Sequence, residues 1–265
     1  TLPRKKSFIE KCLFTIGVFL ILLSIVGIVN ALFWGLGDQW YFPNIFPDNY
    51  TFDHLVTFLH ENKSIMFISL FIALIVSLTS IITIVVWLEM CDYLSFQHKY
   101  LESLIFIPLF IPQISFLIGV QTFLIKIGFQ SYLIALIAIE ILYVIPYCFI
   151  LLGPALRSVD KDFISIGASL GKNRVERLFF IKIPLITSSL LTSFGIGIII
   201  SLSLYTPVYF IGAGRITTLT VEALNLAISS SRQDLGVATA FQIIIPILIL
   251  LIIVYTNKKF TKWSF

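Results

Sequence analysis

Long uninterrupted apolar runs dominate the chain, in place of strand-like alternation or a helix period of one apolar face. A helix needs about 20 mainly apolar residues to cross about 30 Å of hydrocarbon. Six runs meet that length: Cys12 to Leu36, Ser64 to Leu88, Ser103 to Leu124, Ser131 to Gly153, Pro184 to Ile211 and Gly236 to Thr256. The pattern predicts an all-α integral membrane protein of six transmembrane helices. They form one domain over 12–256, between an N-terminal segment 1–11 and a tail 257–265. The first run follows Arg4, Lys5, Lys6 and Lys11, like the basic region of a signal peptide, but its apolar stretch is too long for one and reads as a retained anchor. Trp40, Tyr41, Phe42, Phe46 and Tyr50, with Pro43 and Pro47, make the loop from Gly37 to Lys63 an expected interfacial cap. Gly212 to Leu235 is too polar to span and is expected to form a short helix or re-entrant piece.

Composition agrees with the pattern. Of 265 residues, 58% are hydrophobic and 12% charged, against about a quarter charged in ordinary globular chains. No soluble core of this size hides so much apolar surface, which excludes most soluble enzymes and nucleic-acid binders. The net charge of +4 acquires meaning from where the charges fall. With six spans, 14 of the 18 basic residues lie on one face: four at the N-terminus, Lys99, six between spans four and five, and Lys258, Lys259 and Lys262. Lys63, Lys126, Arg215 and Arg232 fall on the other, so the positive-inside rule places both termini in the cytoplasm. Cys12, Cys91 and Cys148 have neither disulfide nor zinc spacing, and no metal or bound cofactor is expected.

The loop 154–183, expected on the cytoplasmic face, is too long for a simple turn. Phe163, Ile166, Gly167 and Leu170 recur at i, i+3, i+4 and i+7, one face of a short helix whose positive end suits Asp160 and Asp162. Gly171 falls where a left-handed residue stops a helix, and Asn173 with Glu176 has the spacing of a capping pair opening another. The run Gly167-Ala-Ser-Leu-Gly171-Lys172-Asn173 fails as a phosphate-binding loop: it has three residues where four are needed, Asn173 where Ser or Thr should follow, and no strand before it. The chain is therefore not expected to be an enzyme.

This loop resembles the cytoplasmic signature of permease subunits of binding-protein-dependent ATP-binding-cassette importers: Glu-Ala-Ala, three residues, Gly, nine residues, Ile-x-Leu-Pro. Ser165-Ile166-Gly167 stands in the first position, Gly171 is the glycine, and Ile181-Lys182-Ile183-Pro184 closes the motif; Ser165 departs from the usual acidic residue. The resemblance extends over roughly residues 64 to 256 and implies the type I importer fold. It implies that Phe163 to Asn173, with Ala168, Ser169 and Lys172 among them, form a coupling helix seated in a groove of a separate ATPase subunit. Two ATPase subunits carrying the ATP and magnesium, a second permease copy or paralogue, an extracytoplasmic binding protein and membrane lipid are the implied partners, in the bacterial inner membrane. A narrower likeness, around Gly212 to Leu224, is to the Ynj-type permeases near the thiamine and ferric-iron importers, and makes Arg215 and Glu222 candidate contacts for the binding protein.

Within the spans, Glu140 is the one acidic group placed deep, and it either attracts a cationic solute in a polar cavity or hydrogen-bonds a neighbouring helix. Ser201, Ser203 and Thr206 are candidate pathway residues. Pro108, Pro112, Pro146, Pro207 and Pro246 are expected to kink their helices. Gly195 and Gly197, among Ser188, Ser189, Thr192 and Ser193, form a small-residue face suited to a dimer seam. The competing class is a secondary transporter or channel, which would need coupling charges or filters inside the membrane.

Overall fold

The computed structural model describes residues 8–38, 47, 49–94, 99–229 and 232–261. Trp40, Tyr41, Phe42, Pro43 and Phe46 of the expected interfacial cap, and the basic residues Arg4, Lys5, Lys6 and Lys262, lie outside them. The described chain is almost wholly helical, the exception being a two-residue hairpin, β1 (Gly37–Asp38) with β2 (Asn49–Tyr50).

The long elements are α1 (Phe8–Leu36), α2 (Asp53–Leu94), α6 (Tyr132–Arg157) and α13 (Arg232–Thr261). Each contains a stretch long and apolar enough to cross a membrane, which makes four such helices among the described residues. At 1.5 Å per residue, the 42-residue α2 is about 63 Å long, twice the hydrocarbon thickness, so it projects well beyond it.

The expected third span is not one helix. It is split into α3 (Lys99–Ile105), α4 (Ile107–Phe110) and α5 (Gln113–Lys126). Proline is the reason. Pro108 sits in the first turn of α4, where its missing N–H is harmless, and Pro112 forces Ile111 before it into extended backbone (φ −78°, ψ 132°). Pro146 and Pro246, by contrast, lie inside continuous helices.

Between α6 and the next long run come α7 (Lys161–Ser169), α8 (Arg174–Arg177), a π-helical turn (Leu178–Lys182) and α9 (Ile183–Leu185). The expected fifth span is also interrupted. It is divided between α9, α10 (Thr187–Ser203) and α11 (Thr206–Gly212), and the run from Arg174 to Leu185 meets α10 at 80°. If that bent pair is taken as one crossing, the membrane-competent elements number five among the described residues. The stretch from Gly212 to Leu235, expected as a short helix or re-entrant piece, carries the short helix α12 (Leu219–Ser229).

The chain divides into two compact units. One comprises residues 1–62 and 223–243. In it α1 leaves its apolar window wholly exposed, and the backbones at Gly35 and Gly236 approach so closely that a Cβ on Gly35 would lie 2.9 Å from the Gly236 carbonyl oxygen. Phe58 stacks on Phe241 at 5.8 Å. The other comprises residues 63–222 and 244–265. Its core contains Ile72, Val76 and Ile84 of α2, Leu117 of α5, Leu136, Val144 and Leu152 of α6, and Val208 and Ile211 of α11.

The small-residue face of α10 is used inside this second unit. A Cβ on Gly197 would meet Ser77 Oγ at 2.5 Å and Cys148 Sγ at 3.3 Å, and one on Gly195 would collide with Ile253. Ser77 donates to the Phe194 carbonyl at 2.6 Å. The stripe expected as a dimer seam is thus filled by α2, α6 and α13 of the same chain, because a run of small residues marks a close approach without saying what approaches.

Candidate functional site

The segment from Asp160 to Pro184 is built from local signals. Asp160, in extended backbone, caps α7 by accepting from the Asp162 N–H at 3.0 Å. The helix ends in a Schellman motif: Lys172 N–H donates to the Gly167 carbonyl at 3.1 Å and Gly171 N–H to the Ala168 carbonyl at 3.0 Å. Gly171 has φ +76°, the left-handed conformation this motif demands. A full capping box opens α8, with Glu176 N–H to Asn173 Oδ1 and Asn173 N–H to Glu176 Oε2 both 2.9 Å. Beyond it the ladder widens, the Ile183 N–H reaching back to the Leu178 carbonyl. Ser165, where an acidic residue is usual, donates to its own helix at the Asp162 carbonyl, 2.8 Å away.

The quartet expected on one face of α7 divides into two roles. Phe163, Ile166 and Leu170 are 52%, 56% and 74% exposed, a row of large apolar side chains that the described residues leave largely open, whereas Gly167 is buried. A Cβ there would press on Ile181 Cδ1 at 2.5 Å and Arg177 Cγ at 3.3 Å. The smallness of Gly167 therefore seats α7 on the α8 and π-helical run. Ala168 and Ser169 are exposed. Lys172 lies over the Phe180 ring at 4.6 Å.

Sequence reasoning missed what holds this segment to the rest of the unit. Lys182 is buried and pairs with two carboxylates near the end of α2, Glu89 and, at 3.3 Å, Asp92. Arg174 adds Nη2 to the Glu89 carbonyl at 3.2 Å, Nε to the Glu89 carboxylate at 3.7 Å, and its guanidinium over the Tyr93 ring at 4.8 Å. One signal was available: Glu89 and Asp92, three residues apart, close a helix whose preceding 25 residues carry no charge. Arg157 at the end of α6 pairs in turn with Glu102 of α3.

The pathway candidates separate. Ser201 donates to Glu140, both buried, across the α6–α10 contact, so the structure brings these two together. Thr206 is buried in the first turn of α11, and Ser203 is exposed and bonded to its own helix at the Ile199 carbonyl. Arg215 lies 4.1 Å over the ring of Tyr132, which lines a cavity of about 220 Å³ with Gln121, Gln130 and Ala213. Glu222 is half-buried in the first turn of α12.

The described chain thus has membrane-competent helices and, on a connecting segment, a capped, apolar-faced helix pair. Residues 92–258, more than half of the chain, match the family of binding-protein-dependent transport system inner membrane components, and the chain belongs to that family. It is a multi-pass protein of the bacterial inner membrane. Over 188 residues it is 27% identical to the inner membrane ABC transporter permease protein YnjC of Escherichia coli (strain K12). That stretch covers 71% of this chain and 36% of the relative, so the chain spans about a third of the length of the curated protein it matches.

Proposed function

We propose that the chain is the transmembrane permease subunit of an ATP-binding-cassette importer, passing a solute from an extracytoplasmic binding protein into the cytoplasm by ATP-driven alternating access. In this reading the backbone crosses six times with both termini inside, the broken run α3–α5 serving as the third crossing. Broken helices are tolerated in a bilayer where the freed backbone groups are buried in protein or line a cavity. Two permease copies or paralogues pair, and two ATPase subunits supply ATP and magnesium.

The observation that carries the reading is the exposed row Phe163, Ile166 and Leu170 on a helix fixed at both ends by its own caps. Such a row on a rigid, short helix fits a groove in a partner, and a preformed helix loses little conformational freedom on docking. The ATPase subunit is the occupant, with Lys172, Asn173 and Pro184 holding the turn and its exit. Arg215 and Glu222 meet the binding protein on the opposite face.

The test is purification in mild detergent followed by activity in lipid nanodiscs. The chain should bring down an ATPase subunit whose hydrolysis is stimulated by the loaded binding protein. Gly171→Val, which cannot adopt φ +76° without strain, should abolish that stimulation while leaving membrane insertion intact. A chain that purifies without any ATPase, or a Gly171→Val variant with unchanged transport, would overturn the assignment.

A further inference from the structure

Resting on that reading, and deepening it, is the question of where a push on α7 enters the membrane bundle. Among the described residues two covalent joints and a lateral set of polar contacts lead out of the segment, and Leu178 also packs against the core. The chain leads back to α6 through Ser158 and Val159, and forward into α10 through Ile186, a residue at the centre of an 80° bend. The forward joint is hydrogen-bonded, the Ile186 N–H donating to the Lys182 carbonyl at 3.1 Å and its carbonyl accepting from the Leu190 N–H at 2.9 Å, but its 80° turn changes the direction of any displacement. The third route is lateral. Gly167 locks α7 onto Ile181 and Arg177, and from the same run Lys182 and Arg174 reach the end of α2.

We propose that the Lys182 and Arg174 contacts with Glu89, Asp92 and Tyr93 form a clamp that makes α2 the outlet for displacement of the coupling segment, with Lys182 its central positioning residue. Three features of the geometry support it. The Lys182 and Glu89 side chains are only 8% and 13% exposed, so the pair is shielded from salt and water and holds a defined geometry. Arg174 engages both the side chain and the backbone carbonyl of Glu89, fixing the helix itself as well as a side chain. And α2 is continuous for 42 residues, from the clamp to Asp53, with no proline to absorb the motion. The π-helical turn places Lys182 at the widened point of the ladder, a geometry commonly kept where function requires it.

The test uses the assembled permease, ATPase and binding protein in nanodiscs, reading the stimulation of ATP hydrolysis by the loaded binding protein. Lys182→Met should lower stimulation about tenfold, within the range usual for coupling between sites, with the ATPase subunits still bound. Lys182→Arg, which retains the charge, should stay within about twofold of the parent protein. Because Lys182→Met leaves the nearly buried Glu89 carboxylate with only its 3.7 Å contact to Arg174, Lys182→Met/Glu89→Gln serves as the second variant. It removes both charges of the innermost pair and should fold, yet still lose stimulation. A neutral double variant stimulated like the parent would overturn the clamp and reduce the ion pairs to a folding role.

A second measurement needs no ATPase. Spin labels at the exposed positions Ser169 and Met90 should give one narrow distance distribution in the permease alone, broadened in Lys182→Met/Glu89→Gln. An unchanged width would also overturn the clamp. If the parent protein brings down no ATPase, the importer reading fails, and the spin-label result still decides whether the clamp exists.

Discussion

Two stretches of the same helix, α2, are joined to the same part of the chain by opposite physics. At Ser77, near its middle, α2 meets α10 through glycine and serine, with Cys148 of α6 beside them: Gly197 leaves no room for a Cβ, and Ser77 donates to a backbone carbonyl. At Glu89 to Tyr93, near its end, it meets the run before α10 through two carboxylates, a lysine, an arginine and a ring. Inside hydrocarbon there is no hydrophobic drive between helices, so close van der Waals contact must supply the attraction. Toward the end of the helix opposite charges can select one partner where packing alone does not discriminate. The first joint is rigid because nothing fits between its parts. The second is directional because its charges match.

Overfilling the first joint is the harshest way to probe this difference. Gly197→Leu inserts four heavy atoms where even one would lie 2.5 Å from Ser77 Oγ. Overpacking commonly costs about 1 to 3 kcal/mol, and with the short side chains of Ser77 and Cys148 unable to swing aside this site should reach about 3 kcal/mol. Size-exclusion chromatography in detergent should show loss of the monodisperse peak. Gly197→Ala should keep a reduced one. A leucine variant that behaves like the parent would mean that α2 and α10 are free to separate at this level.

Next in size is the loss of Lys182. Breaking a buried pair by removing one partner typically costs about 3 to 5 kcal/mol. Asp92 is 65% exposed and keeps its hydration, so about 2 to 3 kcal/mol is expected for Lys182→Met. A melting experiment repeated from low to high salt tests whether the charged joint is as closed as the packed one. The shift caused by Lys182→Met should change little as salt rises, because the Lys182 and Glu89 side chains are shielded, and that of Gly197→Ala should not change either. A Lys182→Met shift that disappears at high salt would mean that water and ions reach the pair.

The contrast also explains how far the sequence could be read. Much that is fixed by neighbours within four or five residues was legible: the acidic start of α7 at Asp160 and Asp162, the left-handed Gly171 and the Asn173 and Glu176 box form where their spacing puts them, whereas the π-helical turn Leu178–Lys182 left no such mark. The apolar runs at both ends of the chain and over α2 and α6 were legible too, because hydrocarbon imposes one length on them. Proline was ambiguous. Pro112 breaks a helix and Pro146 does not, and the difference depends on what packs around each. Contacts between distant residues stayed hidden. Lys182 finds Glu89 across 93 positions, and the Gly197 stripe finds Ser77, as tertiary structure decides and a single sequence does not record.

A smaller effect is expected at Glu140, which belongs to the packed joint yet carries a charge-bearing group. Its one hydrogen bond among the described residues is from Ser201. Glu140→Gln preserves an acceptor for that hydroxyl and should shift the melting midpoint by less than about 1 kcal/mol in equivalent stability. Glu140→Ala leaves Ser201 unpartnered and should cost about 1 to 3 kcal/mol. The same pair of variants addresses transport. If the carboxylate only ties α6 to α10, Glu140→Gln transports like the parent. A loss of transport in Glu140→Gln without a change in stability would move Glu140 from the packed joint to the solute pathway.

The smallest effect sharpens the charged joint from within. Arg174 shares Glu89 with Lys182, but its side chain is 39% exposed and its carboxylate contact is 3.7 Å. Exposed pairs contribute about 0 to 1 kcal/mol, and the ring of Tyr93 adds a cation–π attraction of similar size. Arg174→Ala should therefore destabilise by no more than about 1 kcal/mol in the parent background. Combined with Lys182→Met it should cost more than the sum of the single changes, since Glu89 then has no cation left to neutralise it. The double-mutant cycle reads that excess directly. Strict additivity would mean that Arg174 acts through Tyr93 and the Glu89 carbonyl alone, leaving Lys182 as the only charge that ties the coupling segment to α2.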